Sequence, residues 1–302
     1  MLRQENSAVA DTTSLLTNLM VLFKVRIVLL LVLAAAAGAF LGARGWPGWD
    51  ALLLVLVTGG LAAMGSSAWN QHLERATDGL MDRTRKRPLV TGVFAHTRWL
   101  PFVASAMIAT PVLAVLPFNR ALAFFLALGA FIYIVIYTVW LKSRTPLNIV
   151  IGGAAGSAAV LAGGAAVGAW QDPAVILLSV LLFFWTPIHF WALALVHRED
   201  YVRARVPMLP ATTTARTAAA WTFVHGVGVG ASGVGLALLP ELGPIYDVPV
   251  AVMTALLVGQ AFLLIGDPVP RRAYRLFHTS NFYLFVVVLA IMLGLVTNRL
   301  TS

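Results

Sequence analysis

The sequence has no cysteine and little charge. Without cysteine there can be no disulfide, no iron–sulfur cluster and no thiolate metal site. Only 11% of the residues are Asp, Glu, Lys or Arg, against about 25% in a soluble domain, so the chain cannot cover a water-facing surface. Also missing are a Gly-rich nucleotide loop, a linker that would divide the chain, and an evident cleavable signal peptide. Acidic residues are scarcer than basic ones, 12 against 21. Basic loops facing anionic lipid and an anionic substrate account for the resulting charge of +9, and no nucleic acid is expected as a partner.

What is present is 60% hydrophobic and arranged in repeated runs rich in Ala, Leu, Gly, Trp and Phe. This pattern predicts an all-α integral membrane protein, a nine-transmembrane-helix bundle with its active-site cavity on the cytoplasmic side. The spans are expected at about 25–43, 51–69, 99–117, 121–141, 147–169, 173–196, 217–239, 248–266 and 281–298. They form one domain over 25–298, with polar loops at 70–98 and 197–216, a tail at 299–302, and a cytoplasmic N-terminal segment over 1–24 that carries a surface helix from Ser14 to Phe23. Arg83, Arg85, Lys86, Arg87, Lys142, Arg144, Arg198, Arg203, Arg271 and Arg272 fall in alternate loops, and the opposite loops hold Asp50, Asp172, Glu241 and Asp247. Positive residues stay inside, so the N-terminus is expected in the cytoplasm of a bacterial cell and the C-terminus across its plasma membrane. The Gly/Ala-rich fifth span suits either close helix packing or the wall of a pocket for a bulky apolar ligand. The glycine-rich seventh admits the same two readings.

Against this apolar background the stretch NQHLERATDGLMDRTRKRPLVTG stands out. Asn70, Glu74 and Asp78 recur every four residues and drift by only about 40° per step, so on a helix they share a face. Oxygen donors for a hard divalent cation beside Arg83 and Arg87 suggest a metal-diphosphate site. The alternative is a charged helix end paired with its own arginines, which is the favoured reading for Asp82 with Arg85 or Lys86. A second cluster, His197, Glu199 and Asp200, lies at the same membrane face. Adjacent carboxylates point about 100° apart on a helix, so Glu199 and Asp200 cannot both serve one ion unaided. Between the clusters, Lys142 and Arg144 suit a leaving phosphate or simply end the fourth span, and Asn148 needs a partner for its amide. His189, between Trp185 and Trp191 within an apolar run, suits proton transfer, metal ligation or a structural hydrogen bond.

Four segments together, NQHLERATDGLMDRTRKRPL, YTVWLKSRTPLNIVIG, WTPIHFWAL and EDYVRARVPMLP, resemble the intramembrane prenyltransferases of the UbiA superfamily, at the branch that acts on haem. The resemblance runs from about Lys24 through the final spans. It implies Mg²⁺ as cofactor and transfer of farnesyl from farnesyl diphosphate to the C2 vinyl group of protohaem IX, with water added. Asn70, Glu74 and Asp78 match the first Asp-rich motif, with Glu74 in place of the commoner aspartate, and Asp200 with Glu199 matches the second. On this resemblance Asn70, Glu74, Asp78 and Asp200 hold metal, and Lys142 and Arg144 join them in catalysis. Arg83, Arg87, Asn148, His189, His197, Glu199 and Tyr201 contact substrate. Two departures are Ile188, where the family often has a second proline, and Arg205, where it often has glycine before VPMLP. Haem A synthase, haem-copper oxidase assembly factors and a second copy of the chain are the implied protein partners, with membrane lipid around them. A prenyltransferase for a quinone or other aromatic acceptor, an anion transporter and a haem-binding assembly factor are the competing functions.

Overall fold

The computed structural model describes residues 15–94 and 96–301, and every regular element among them is helical. Lipid offers the backbone no hydrogen-bond partners, so long apolar runs satisfy their own amides by coiling. Helices α1 (Val25–Gly42) and α2 (Trp49–Leu73) are followed by α3 (Leu100–Val115) and α4 (Arg120–Phe131). The last of these continues into a π-helical segment, Ile132–Leu141. A one-turn helix, Asn148–Gly152, leads into α5 (Ala154–Ala166), and α6 (Pro173–Val196), α7 (Ala215–Leu236), α8 (Gly243–Gly266) and α9 (Pro270–Thr301) complete the bundle. The expected surface helix runs from Leu15 to Leu22, and residues 1–14 of the N-terminal segment lie outside the described residues.

Among the described residues seven stretches, not nine, are long and apolar enough to cross a bilayer: Val25–Gly42, Trp49–Leu73, Arg120–Leu141, Asn148–Ala166, Pro173–Val196, Gly243–Gly266 and Pro270–Thr297. The two expected spans that fall short do so for different reasons. α3 has 16 residues, about 24 Å of helix against about 30 Å of hydrocarbon. α7 is long enough, but Arg216, Thr217, Thr222, His225, Ser232 and its run of glycines dilute its apolar character. Both still pack in the bundle, α3 along α2 and α7 between α6 and α8.

The main core joins α6, α7, α8 and α9, where Ile188, Leu257, Tyr246 and Tyr283 are fully buried. α1 lies against α5 closely enough that a Cβ on Gly163 would collide with the Ala35 carbonyl, which is the packing use of small residues. α7 uses its glycines the same way, Gly228 receiving the ring of Phe184 from α6. At the end remote from the polar stretch, Arg44 bridges Asp172, the N-cap of α6, and Glu241. The other ends of the helices converge on the residues of the polar stretch.

Candidate active site

Between α1, α2, α4 and α5 lies a cavity of about 410 Å³, within the size range of small-molecule sites. Its mouth is polar, lined by Lys24, Asn70, Glu74, Asp78, Arg83, Arg87 and Lys142. Its depth is apolar, with Val28 and Val32 from α1, Ala62 from α2, Leu122 and Phe125 from α4, and Gly156, Ala159 and Ala162 from α5. The Gly/Ala-rich segment therefore serves both readings: Gly163 packs on α1 while Gly156 and Ala159 leave room for a ligand.

The spacing of Asn70, Glu74 and Asp78 brings all three to this mouth, although not on one unbroken helix. α2 ends at Leu73, and a one-turn helix, Arg75–Gly79, restarts after Glu74. Each of the three is buried and each oxygen donor is held by a cation. Lys24 Nζ donates to Asn70 Oδ1 at 2.6 Å, Lys142 Nζ to Glu74 Oε1 at 2.5 Å, and Arg87 Nη1 to Asp78 Oδ2 at 2.5 Å. Burial works against the charge on Glu74, but Lys142, Lys24 and Arg87 outweigh it and hold the carboxyl below its ordinary value. Burial also lowers Lys24, to about 7, with repulsion from Arg87 and Lys142 adding to the shift and Glu74 and Asp78 opposing it.

The π-helical segment supplies the wall opposite. With i→i+5 bonding, such as Lys142 N–H to the Tyr137 carbonyl at 2.8 Å, Tyr133, Tyr137 and Lys142 all reach the cavity. The two phenol rings stack with centroids 5.8 Å apart, and the ammonium groups of Lys24 and Lys142 stand 5.6 and 5.5 Å from the Tyr133 and Tyr137 ring centroids. π-helical turns of this kind concentrate at functional sites.

The second acidic cluster supports the mouth from behind. Asp200 is buried but does not line the cavity. Its Oδ2 accepts the Arg83 backbone N–H at 3.2 Å, and its Oδ1 accepts from Arg203 at 3.2 Å. Burial opposes its charge, yet the backbone N–H groups of Asp82 and Arg83, with Arg203 and His197, hold its carboxyl below the usual value. Among the described residues no three His, Asp or Glu side chains converge as a metal cluster, and Asp200 stands behind the mouth that Glu74 and Asp78 line. Its two oxygens are engaged elsewhere, Oδ2 by the loop that carries Arg83 and Oδ1 by Arg203 on its own helical turn. Tyr201, by contrast, lines the cavity, with Arg83 Nη2 3.5 Å from its hydroxyl.

The other expected site residues divide similarly. Arg144 is exposed and donates to the carbonyls of Val139 and Trp140, closing the end of the π segment rather than facing the cavity. Asn148 is fully buried and donates to the Lys142 carbonyl at 3.3 Å, while its Oδ1 has no hydrogen-bond partner. His197 is half-buried, its Nδ1 3.9 Å from Asp200 Oδ2; burial and the Arg83 charge lower its pKa against the pull of Asp200. Glu199 is exposed. His189 lies outside the cavity wall, its Nδ1 3.0 Å from Ser280 Oγ and its ring stacked 4.5 Å from Trp185. Asp82 pairs with Arg85 and also with Arg203.

Sequence reasoning missed Lys24, Tyr133 and Tyr137. Lys24 was assigned to the polar N-terminal segment, although a lysine directly before the first apolar run was a usable signal. The tyrosines were legible as phenols one turn apart, approaching Lys142 from within an apolar helix.

Residues 30–289 match the family model of the UbiA prenyltransferase family. A protein named protoheme IX farnesyltransferase from Metallosphaera sedula is 40% identical over 272 residues, covering 90% of this chain and 94% of its own length. A second, protoheme IX farnesyltransferase 1 from Paramagnetospirillum magneticum, is 40% identical over 275 residues, covering 89% of this chain and 95% of its own. Among solved structures, a UbiA homolog from Archaeoglobus fulgidus bound to GPP and Mg²⁺ shares the fold with a TM-score of 0.64 at 18% identity, over 91% of this chain and 99% of that one.

Proposed function

The chain belongs to the UbiA prenyltransferase family, and from that premise we propose that it transfers farnesyl from farnesyl diphosphate to the C2 vinyl group of protohaem IX. Water adds in the same reaction, giving haem O and diphosphate. The observation that carries the reading is the cavity itself, which joins a mouth of paired acids and bases to an apolar tunnel walled by small residues. The haem acceptor is supported by relatives that carry this activity in their names at 40% identity over nearly their full lengths.

The residues fit Mg²⁺. Asn70, Glu74 and Asp78 offer an amide oxygen and two carboxylates, the hard donors this ion takes alongside phosphate oxygens, and a relative of the same fold was solved with it. Bound there, the ion would offset the charge that gathers on diphosphate as the carbon–oxygen bond breaks. Lys142 and Arg87 hold the two carboxylates meanwhile, and both cations have phosphate as an alternative partner. Moving them onto the leaving group frees the carboxylates and adds positive potential where negative charge develops. The tunnel holds the isoprenoid chain and keeps bulk water from the allylic carbon.

The C1–oxygen bond of farnesyl diphosphate breaks with its electron pair passing to diphosphate. The terminal carbon of the vinyl group forms the new carbon–carbon bond, and positive charge moves to the carbon beside the pyrrole ring. Water adds at that carbon, and its proton passes to the released diphosphate, leaving a hydroxyethylfarnesyl group. Asp200 acts here as a positioning residue, holding the Arg83 backbone at the mouth. The basic residues around the mouth support a reading in which it opens to the cytoplasm of a bacterial cell, with the N-terminus inside and the C-terminus across the plasma membrane. Haem A synthase and haem-copper oxidase assembly factors are then the consumers of the product.

The test is an acceptor panel with purified protein, farnesyl diphosphate and Mg²⁺. Protohaem IX should be farnesylated, and mesohaem, whose vinyl groups are reduced to ethyl, should not. Conversion of a quinone precursor with protohaem untouched would keep the family and overturn the acceptor.

A further inference from the structure

One half-buried cation at the mouth has no carboxylate of its own. Lys142 is paired with Glu74 and Arg87 with Asp78, but among the described residues Lys24 makes no ion pair. Its Nζ donates to two neutral groups, Asn70 Oδ1 at 2.6 Å and the Tyr133 hydroxyl at 2.9 Å. An ammonium group drawn out of water is balanced by an opposite charge, and an amide and a phenol carry none. An anion at the mouth would supply that charge.

The backbone shows that the placement is imposed. Lys24 has φ 49° and ψ 45°, the left-handed region, which is strained for a residue with a Cβ. Such strain persists where the surroundings over-determine it. Gln71 does so here. It is fully buried on α2, and its Nε2 donates to the carbonyls of Val21 at 2.7 Å and Leu22 at 2.8 Å, pinning the end of the surface helix two residues before Lys24. The Lys24 carbonyl then accepts from Ile27 and Val28 and starts α1. Between two fixed ends the chain turns sharply, and the lysine side chain is delivered into the cavity mouth.

We propose that Lys24 is a substrate-binding residue for the diphosphate, positioned by Gln71, and that it releases the Asn70 oxygen when it turns to phosphate. This rests on the reading of the mouth as a diphosphate site. Lys24 and Asn70 thus form a third exchangeable pair beside Lys142 with Glu74 and Arg87 with Asp78.

The experiment measures binding of inorganic diphosphate with Mg²⁺ by calorimetry, together with KM and kcat for farnesyl diphosphate. The proteins are wild type, Lys24→Met, Lys24→Arg, Gln71→Met and, as the control for the site, Lys142→Met. Lys24→Met should weaken diphosphate binding about tenfold or more, and Lys24→Arg should recover most of it. Gln71→Met should raise KM several-fold with kcat little changed. Lys24→Met should unfold no more easily than wild type, because methionine fills the same space without a charge to bury. Loss of binding in Lys142→Met with wild-type binding in Lys24→Met overturns this inference and leaves the diphosphate site standing. Wild-type protein that binds no diphosphate overturns both. Unfolding of Lys24→Met and of a second variant, Lys24→Gln, would make the residue a structural cap and overturn the inference as well.

Discussion

Lys142 and Glu74 lie 68 residues apart in sequence, yet the lysine ammonium donates to the glutamate carboxylate at 2.5 Å across the cavity mouth. The pair locks the end of the π-helical segment to the end of α2, with both side chains mostly withdrawn from water. It also keeps a carboxylate charged in an apolar bundle until a ligand arrives.

Breaking that pair from one side should therefore cost stability as well as activity. Glu74→Gln or Lys142→Met alone leaves a buried charge without its partner and should destabilise the protein by about 3 kcal/mol. The double variant Glu74→Gln/Lys142→Met should recover most of that loss while prenyl transfer stays below about 1% of wild type, since an electrostatic contribution of this kind is worth about a hundredfold or more in rate. Unfolding in detergent and single-turnover transfer measure the two effects separately. A double variant no more stable than either single one would show that the two charges are not coupled.

The same carboxylate sets a pH dependence. Its pKa in the folded protein lies below the ordinary 4.5, so its contribution to stability is present in full above pH 4.5. It declines as pH falls toward the lowered folded value and is gone beneath it. Without metal, the stability difference between wild type and Glu74→Gln should stay constant from pH 7 down to about 4.5 and shrink below that. A difference that closes between pH 7 and 6 would contradict the pairing.

The apolar depth of the cavity should be separable from its mouth. A Cβ on Gly156 would meet nothing nearer than Thr186 Oγ1 at 3.9 Å and Leu182 Cβ at 4.0 Å, so a leucine there folds and projects into the tunnel. Gly156→Leu should raise KM for farnesyl diphosphate about tenfold or more and leave inhibition by inorganic diphosphate unchanged, because only the chain loses its space. Equal weakening of both ligands would mean that the tunnel and the mouth are not separate compartments.

Much of this site could be read from residue spacing, because Asn70, Glu74 and Asp78 belong to one local segment whose period carries their geometry. At 205 the sequence showed a departure from the glycine that the resemblance implies, and not its effect. Arg205 has φ 53°, a conformation that glycine adopts without strain, so the family's glycine there reflects the turn. What could not be read was long-range. The resemblance makes Asp200 a ligand, and no local pattern shows that its Oδ2 accepts from the Arg83 backbone, more than a hundred residues away. His189 looked functional because histidine is costly in lipid, and its cost is met by Ser280 on α9. The span count failed at α3 and α7 because apolar composition alone does not report helix length or dilution by glycine. The place of Lys24 before the first span was a local signal, but nothing local says that Gln71 holds the end of the preceding helix and so turns the lysine into the mouth.

The most direct test of the function is mass spectrometry of the haem formed by purified protein from protohaem IX, farnesyl diphosphate and Mg²⁺ in ¹⁸O-labelled water. The expected product is protohaem plus one farnesyl group and one hydroxyl that carries the label, with one diphosphate released for each haem converted. Unchanged haem from folded protein, or a farnesylated haem without labelled oxygen, would contradict it.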